Sequence, residues 1–166
     1  MTGAAGRYHR RLGPLEELIG AQNPEDERMG RPADRTTAAD AILERGRFDV
    51  AEYADELERA PHNHDLGTSL WFANDRIRVF EVRLAPGERA PFHIHDRTYF
   101  WTVVSPGRGR QRLADGSYVV REYGLGETRY LVHSATAALV HDLENVGTDE
   151  LRFVTVELCD TTPTTP

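Results

Sequence analysis

Two histidines one residue apart, His93 and His95 in the stretch PGERAPFHIH, are the side chains of this sequence best placed to do chemistry. Residues at i and i+2 of a β-strand point to the same face, so both imidazoles can grip one ion. Neutral imidazole is a common ligand for iron, zinc, copper and nickel, and two of them from one strand leave positions open for a substrate. A third ligand must come from another strand. His141, in LVHDLEN, sits among apolar neighbours on a later strand that a barrel would bring alongside the first. A chain with seven His contains about 0.3 His-x-His pairs by chance, so context has to decide which pair matters. The second pair, His62 and His64 in PHNHDLG, lies in a Pro/Asn-rich loop and reads as solvated. His9 reads as exposed in an N-terminal arm.

The elements that must position these side chains are β-strands. Over 67–158 the sequence runs in short stretches of Val, Ile, Phe, Tyr, Trp and Thr, broken by Asn74-Asp75, Pro86-Gly87, Pro106-Gly107, Asp115-Gly116, Gly124 to Gly126 and Gly147. Such spacing predicts an all-β barrel or sandwich. Strands are expected at 68–73, 76–84, 90–95, 98–105, 109–114, 118–123, 127–132, 137–144 and 151–158, which fits a jelly roll. Upstream, residues 1–35 lack apolar periodicity and are expected to form a flexible arm. Two short helices are expected within 36–61. In the first, Thr37 and Asp40 form a capping box and Gly46 is the stop; Asp49 caps the second, with Val50, Tyr53, Ala54 and Leu57 on one face and Pro61 closing it. The barrel then occupies 62–159, and the tail 160–166, ending TTPTTP, is expected to be disordered.

Composition narrows the function. At 166 residues, 39% apolar and 28% charged, the chain fits one globular domain, and no apolar run reaches a membrane span. A formal charge of −7 disfavours nucleic acid and anionic membrane as partners and favours a small molecule. All 20 basic residues are Arg, so lysine Schiff-base chemistry is excluded. The lone Cys159 reads as a structural thiol. The first twenty residues hold no apolar stretch of about seven, so no secretory signal is recognised and the cytoplasm is the expected compartment.

Residues 87–107 resemble the first cupin motif: Gly87, five residues, His93-Ile94-His95, and Gly107 twelve positions after His95. His141, with Asn145 four residues on and a turn at Gly147, is similar to the second motif. The phrases NDRIRVFEVRLAPGE and HDLENVGTDELRFVTVEL also resemble small single-domain bacterial cupins, over roughly residues 70–158. The resemblance implies a cupin double-stranded β-helix with one divalent metal on His93, His95 and His141. Fe(II) is favoured, with Zn, Ni, Mn or Cu as alternatives, and a homodimer is expected.

Two departures from the family pattern stand out. The usual acidic ligand, four or five positions after His95, falls on Tyr99 or Phe100. The Pro-x-Gly that normally precedes the last His is replaced by HSATAALVH. A carboxylate-free set resembles the three-His cupins, thiol dioxygenases among them. It implies Fe(II)-dependent oxidation of a small organic substrate by dioxygen. The alternatives are a metal-dependent isomerase, cyclase or lyase, and a cupin that binds a small ligand without turnover.

Other residues have competing readings. Tyr99 is a phenolic ligand, a proton donor to substrate, or one member of the aromatic run Tyr99-Phe100-Trp101 that packs. Family spacing favours Phe100, Thr102 and Val104 pointing inward, with Tyr99 and Trp101 pointing away. Phe100 and Thr102 would then line the substrate pocket. His133 either hydrogen-bonds a ligand or substrate, or sits half-exposed at a strand end. Arg78, Glu81 and Arg83 interrupt an apolar alternation. Either one of them, Arg78 being the candidate, turns inward to meet a substrate carboxylate, or they form a solvated or interfacial face.

Overall fold

The computed structural model describes residues 42–159. The strands are β1 (Ile42–Arg47), β2 (Ser69–Ala73), β3 (Ile77–Leu84), β4 (Arg89–His95), β5 (Tyr99–Ser105), β6 (Gly107–Arg112), β7 (Ser117–Tyr123), β8 (Thr128–Leu131), β9 (Leu139–Asn145) and β10 (Leu151–Leu158). Between β1 and β2 a helix, α1 (Ala54–Arg59), is flanked by 3-10 turns at Val50–Tyr53 and Ala60–His62. The strands form two five-stranded sheets, ordered β1-β7-β6-β9-β4 and β2-β3-β10-β5-β8. All their pairings are antiparallel. The chain crosses repeatedly from one sheet to the other, and the two inner faces close on each other as a barrel.

Alternation is what selects these faces. Along β10 buried and half-buried residues alternate without a break, so Leu151, Phe153, Thr155 and Glu157 point inward. Val82, Leu84, Ala90, Val103, Tyr123, Leu143, Leu151 and Phe153, with Trp101 against them, form the main apolar cluster at one end of the barrel. Gly87, with φ 80°, and Gly116, with φ 83°, take the turn conformation that a side chain resists. Asn145 is fully buried. Its amide nitrogen donates to the Leu84 and Asp149 carbonyls, each at 2.8 Å, and its amide oxygen accepts from Gly147 N at 2.9 Å. One side chain thereby ties the end of β9 to β3 and to the turn before β10.

The first expected helix is corrected. Residues 42–47 form β1, paired with β7 in a register that sets Arg45 opposite Val119 and Gly46 opposite Tyr118. Gly46 is there for close approach, since a Cβ at that position would lie 2.6 Å from the Tyr118 ring. The helix-forming tendency of ILER yields to ladder hydrogen bonds that cover the outer edge of β7. Residues 36–41 of that segment, the arm 1–35 and the tail 160–166 lie outside the described residues.

The second helix forms where expected. The Asp49 carboxylate caps the 3-10 turn Val50–Tyr53 that leads into α1, accepting from Ala51 N at 2.9 Å. Phe48 and Tyr53 then dock this segment onto Phe92, with ring centroids 6.1 and 5.7 Å away. Among the described residues no helix is long and apolar enough to cross a membrane.

Candidate metal centre

β4 and β9 carry the centre, and a β-bulge gives β4 its phase. Ala90 pairs with Leu143 and His93 with His141, so two residues, Pro91 and Phe92, oppose Asp142 alone. Without that extra residue, strict alternation would turn His93 and His95 outward whenever Ala90 faced the core. Proline suits the position because it has no N–H to offer the ladder. The Phe92 N–H, freed by the bulge, donates to a Glu56 carboxylate oxygen from α1.

Glu56 also grips Arg89, Oε1 to Nη1 at 2.8 Å and Oε2 to Nη2 at 2.6 Å. Arg89 reaches Asp142 at 3.1 Å, and Asp142 accepts from the Arg112 guanidinium and backbone N, both at 2.9 Å. Hydrogen bonding to Arg89 is the main cause holding the Glu56 carboxyl below its ordinary range. Burial raises Asp142, with Arg112 and Arg89 pulling the other way. This charged chain lies on the outer face of the sheet, directly behind the histidines. The open edge of β4 is covered by Asn63, whose carbonyl accepts from Ile94 N and whose side chain donates to Phe92 O.

On the inner face the three imidazoles converge. His93, His95 and His141 are 3%, 3% and 5% exposed. One ring nitrogen from each lies within 4.8 Å of the others. The Nε2 atoms of His93 and His95 are 3.1 Å apart. Nδ1 of His93 donates to the Pro91 carbonyl at 2.8 Å and Nδ1 of His141 to the Asp142 carbonyl at 3.1 Å, which leaves their Nε2 lone pairs facing the centre. Nε2 of His141 is buried without a protein partner. A divalent metal fits this donor set: three neutral nitrogens, two oriented by backbone carbonyls, on the wall of a cavity.

Electrostatics favour the neutral, ligand-ready form. Burial is the main cause lowering His93, His95 and His141, and for His95 the neighbouring imidazoles add to it. The sign for stability follows. Below about pH 6.5 the unfolded chain's imidazoles take up protons that the folded ones refuse. The contribution is therefore complete above that pH and is lost as pH falls through it toward the lowered folded values. The metal-free protein is expected to lose stability, and the metal-loaded protein to release its ion, across this same window. Urea midpoints and metal content measured on both sides of it check this, and an unchanged midpoint would contradict neutral burial.

Beside the centre, Tyr99 stacks on His95 with centroids 3.9 Å apart and planes at 19°. His133 lies behind it, 5.7 Å from the Tyr99 ring and 6.4 Å from His95, with Nδ1 3.2 Å from the Ala137 carbonyl. Both are buried. The expected parity of β5 is reversed. Tyr99, Trp101 and Val103 sit opposite the inward Glu157, Thr155 and Phe153 of β10, so they face the barrel interior. Phe100 and Thr102 do not line the cavity. Thr102 instead meets Thr128, Oγ1 to Oγ1 at 2.9 Å, on the outer face, and Val104 is exposed. The cross-strand register with β10, which no count from His95 reveals, decides this.

Arg78 is also placed away from the cavity. Its guanidinium donates to Glu157 and to the His64 carbonyl, each at 3.0 Å, and lies over the Phe80 ring. His64 contacts Asp96 at 3.2 Å and is half-exposed, and His62 is exposed. The cavity itself, about 40 Å³, runs from the three histidines and Tyr99 past Trp101 to Gln111, Tyr123 and Phe153. Sequence reasoning missed Gln111, Tyr123, Thr155 and Glu56. The signal for Gln111 is a polar residue at the inward parity of β6, two residues before Leu113.

The two sheets thus place an inward His-x-His on β4 and a third histidine directly across the ladder on β9. The chain is similar to several solved structures. They include a cupin domain from Bordetella pertussis, 23% identical over 54% of this chain and 88% of that chain, with a TM-score of 0.48. Another is a double-stranded β-helix protein from Klebsiella pneumoniae, 19% identical over 63% and 88%, with a TM-score of 0.46. The polyketide cyclase RemF from Streptomyces resistomycificus is 22% identical over 55% and 60%, with a TM-score of 0.40. No family model and no curated relative matches the sequence.

Proposed function

We propose that this protein is a metalloenzyme that holds one divalent metal, Fe(II) foremost, on His93, His95 and His141 and oxidises a small organic substrate with dioxygen. The observation that carries the reading is the convergence of three buried, neutral imidazoles, two with Nδ1 held by a backbone carbonyl, on the wall of a cavity. Such a metal, when bound, supplies a cationic centre with open positions that chelates an oxygen or sulfur ligand and brings dioxygen to it.

The remaining tasks fall to the chain. Trp101, Phe153 and Tyr123, in edge-to-face contact at 5.0 to 5.8 Å, wall the cavity and keep water out. Tyr99 shields one face of His95 and places its ring between that ligand and His133. Among the described residues the cavity wall carries no carboxylate and no guanidinium. This favours a reaction whose driving force comes from the oxidant over one that needs a strong protein base to remove a carbon-bound proton.

The competing reading is non-redox isomerisation, cyclisation or lyase chemistry on the same metal. Oxygen consumption separates the two. Protein reconstituted with Fe(II) is expected to consume dioxygen in step with loss of a phenolic, thiol or hydroxy-carboxylate substrate, and zinc-loaded protein to do neither. Turnover with zinc in the absence of oxygen would remove the oxygenase reading and leave the Lewis-acid one.

A further inference from the structure

Gln111 is 7% exposed and lines the same cavity as the histidines. Its place along the barrel is set by register. Gly109 pairs with Asn145 and Arg110 with Glu144, while Leu113 bridges to His141. Gln111 therefore stands two residues along β6 from the position beside the metal ligand, about 7 Å on the same inner face. Its Nε2 donates to the Tyr123 hydroxyl at 2.9 Å, which fixes the amide plane. Its Oε1 is buried with no hydrogen-bond partner.

A buried amide oxygen left without a donor is disfavoured by about 1–3 kcal/mol, and folded proteins seldom keep one that serves nothing. The cavity wall mixes Val82, Ala90, Leu143 and Phe153 with the donors Trp101 and Thr155, and none of these side chains hydrogen-bonds Oε1. The missing donor must come from whatever enters the cavity. An ion at this end would be buried among apolar groups without a counter-charge, so the entering group is neutral.

Resting on the metal-site reading above, we propose that Gln111 is the specificity-determining anchor for the end of the substrate that does not touch the metal. The substrate class is a small oxygen chelate carrying a neutral hydroxyl or amino donor several ångströms beyond its chelating atoms. A metal held by His93, His95 and His141 would supply the site for the chelating atoms, the aromatic wall takes the body of the molecule, and the Gln111 amide oxygen accepts from the distal donor. Molecules of equal size without that donor leave Oε1 unsatisfied and bind more weakly.

Three catechols that differ only at the ring position beyond the chelate test this: benzene-1,2,4-triol, 4-methoxycatechol and 4-methylcatechol. They are titrated without oxygen into the full chain loaded with Co(II), following the visible Co(II) spectrum. The expected result is that the triol binds about tenfold tighter than the methyl compound, as one hydrogen bond of about 1.4 kcal/mol gives. The methoxy compound, which accepts but cannot donate, is expected to match the methyl one. In Gln111→Leu and, should that variant misfold, in Gln111→Met, the triol preference is expected to fall to unity with Co(II) binding unchanged. A triol preference that is absent from the parent, shared by the methoxy compound or retained in the variants would overturn the assignment while leaving the metal site standing. Failure of the parent to take up Co(II) would overturn both.

Discussion

Chains carrying His141→Ala are expected to lose stoichiometric metal, from one ion per molecule to a trace, while keeping the barrel. His141 is the candidate ligand on β9, and the two that remain, His93 and His95, share one strand and close only one side of the site. Changes to groups that merely orient ligands cost about 10–100-fold in metal affinity, and loss of a ligand exceeds that. The stability readout is equally direct. At a free metal concentration about 100 times Kd, the parent gains about 2.7 kcal/mol, or roughly 5–10 °C in Tm for a chain of this size. The variant is expected to gain nothing on adding metal. His141→Gln, which fills more of the space, serves as the control for any packing loss. Elemental analysis and paired melting curves decide the matter, and metal retained by the Ala variant would remove His141 from the site.

The second large effect is expected far from the cavity, at Glu56. Its carboxylate accepts the Phe92 N–H that the β4 bulge releases and binds Arg89, which in turn reaches Asp142 next to His141. Glu56→Ala leaves a backbone donor without its partner and Arg89 with one carboxylate fewer. Hydrogen bonds to charged groups of this kind are worth about 1.5–3 kcal/mol, so a stability loss of about 2–4 kcal/mol is expected for the pair of contacts. Metal affinity is expected to fall about 10–100-fold, because the bulge sets which way His93 and His95 face.

Glu56→Gln separates the two roles. Its amide oxygen still accepts from Phe92, so most of the metal affinity should return, while Arg89 keeps only Asp142 as a carboxylate partner and part of the stability loss persists. Co(II) absorption reports the coordination and urea unfolding reports the stability. Parent-like metal affinity in the Ala variant would sink the positioning role. The acid side agrees in sign. Because Arg89 holds the Glu56 carboxyl low, its contribution is present above the ordinary carboxylate range and is lost as pH falls through its lowered folded value.

Much of this protein was legible from its residues in order. Strand existence follows from alternating apolar stretches and turn dipeptides, and all nine strands expected between 67 and 158 are found, with ends shifted by up to two residues. The His93-x-His95 pair and its partner His141 were legible too, because period-two geometry is local and the resemblance supplied the third position. The second helical segment was announced by its Asp49 cap, although Val50 and Ala54 of its expected apolar face are exposed.

What local reasoning could not reach depends on strand register. ILER prefers a helix in isolation, yet 42–47 pairs with β7, since an uncovered sheet edge offers more hydrogen bonds than an isolated short helix. In the same way Tyr99 and Trp101, not Phe100 and Thr102, face the cavity because β10 lies opposite them with inward residues. The Gln111 amide, Thr155 and the Glu56 carboxylate reach their places by pairings across 30 or more residues of chain or by packing between layers. Sequence by itself determined the class of chemistry, through the type and spacing of three histidines. Only the tertiary structure decided which groups surround them, because a single bulged residue or a one-residue slip of register reverses every side chain on a strand.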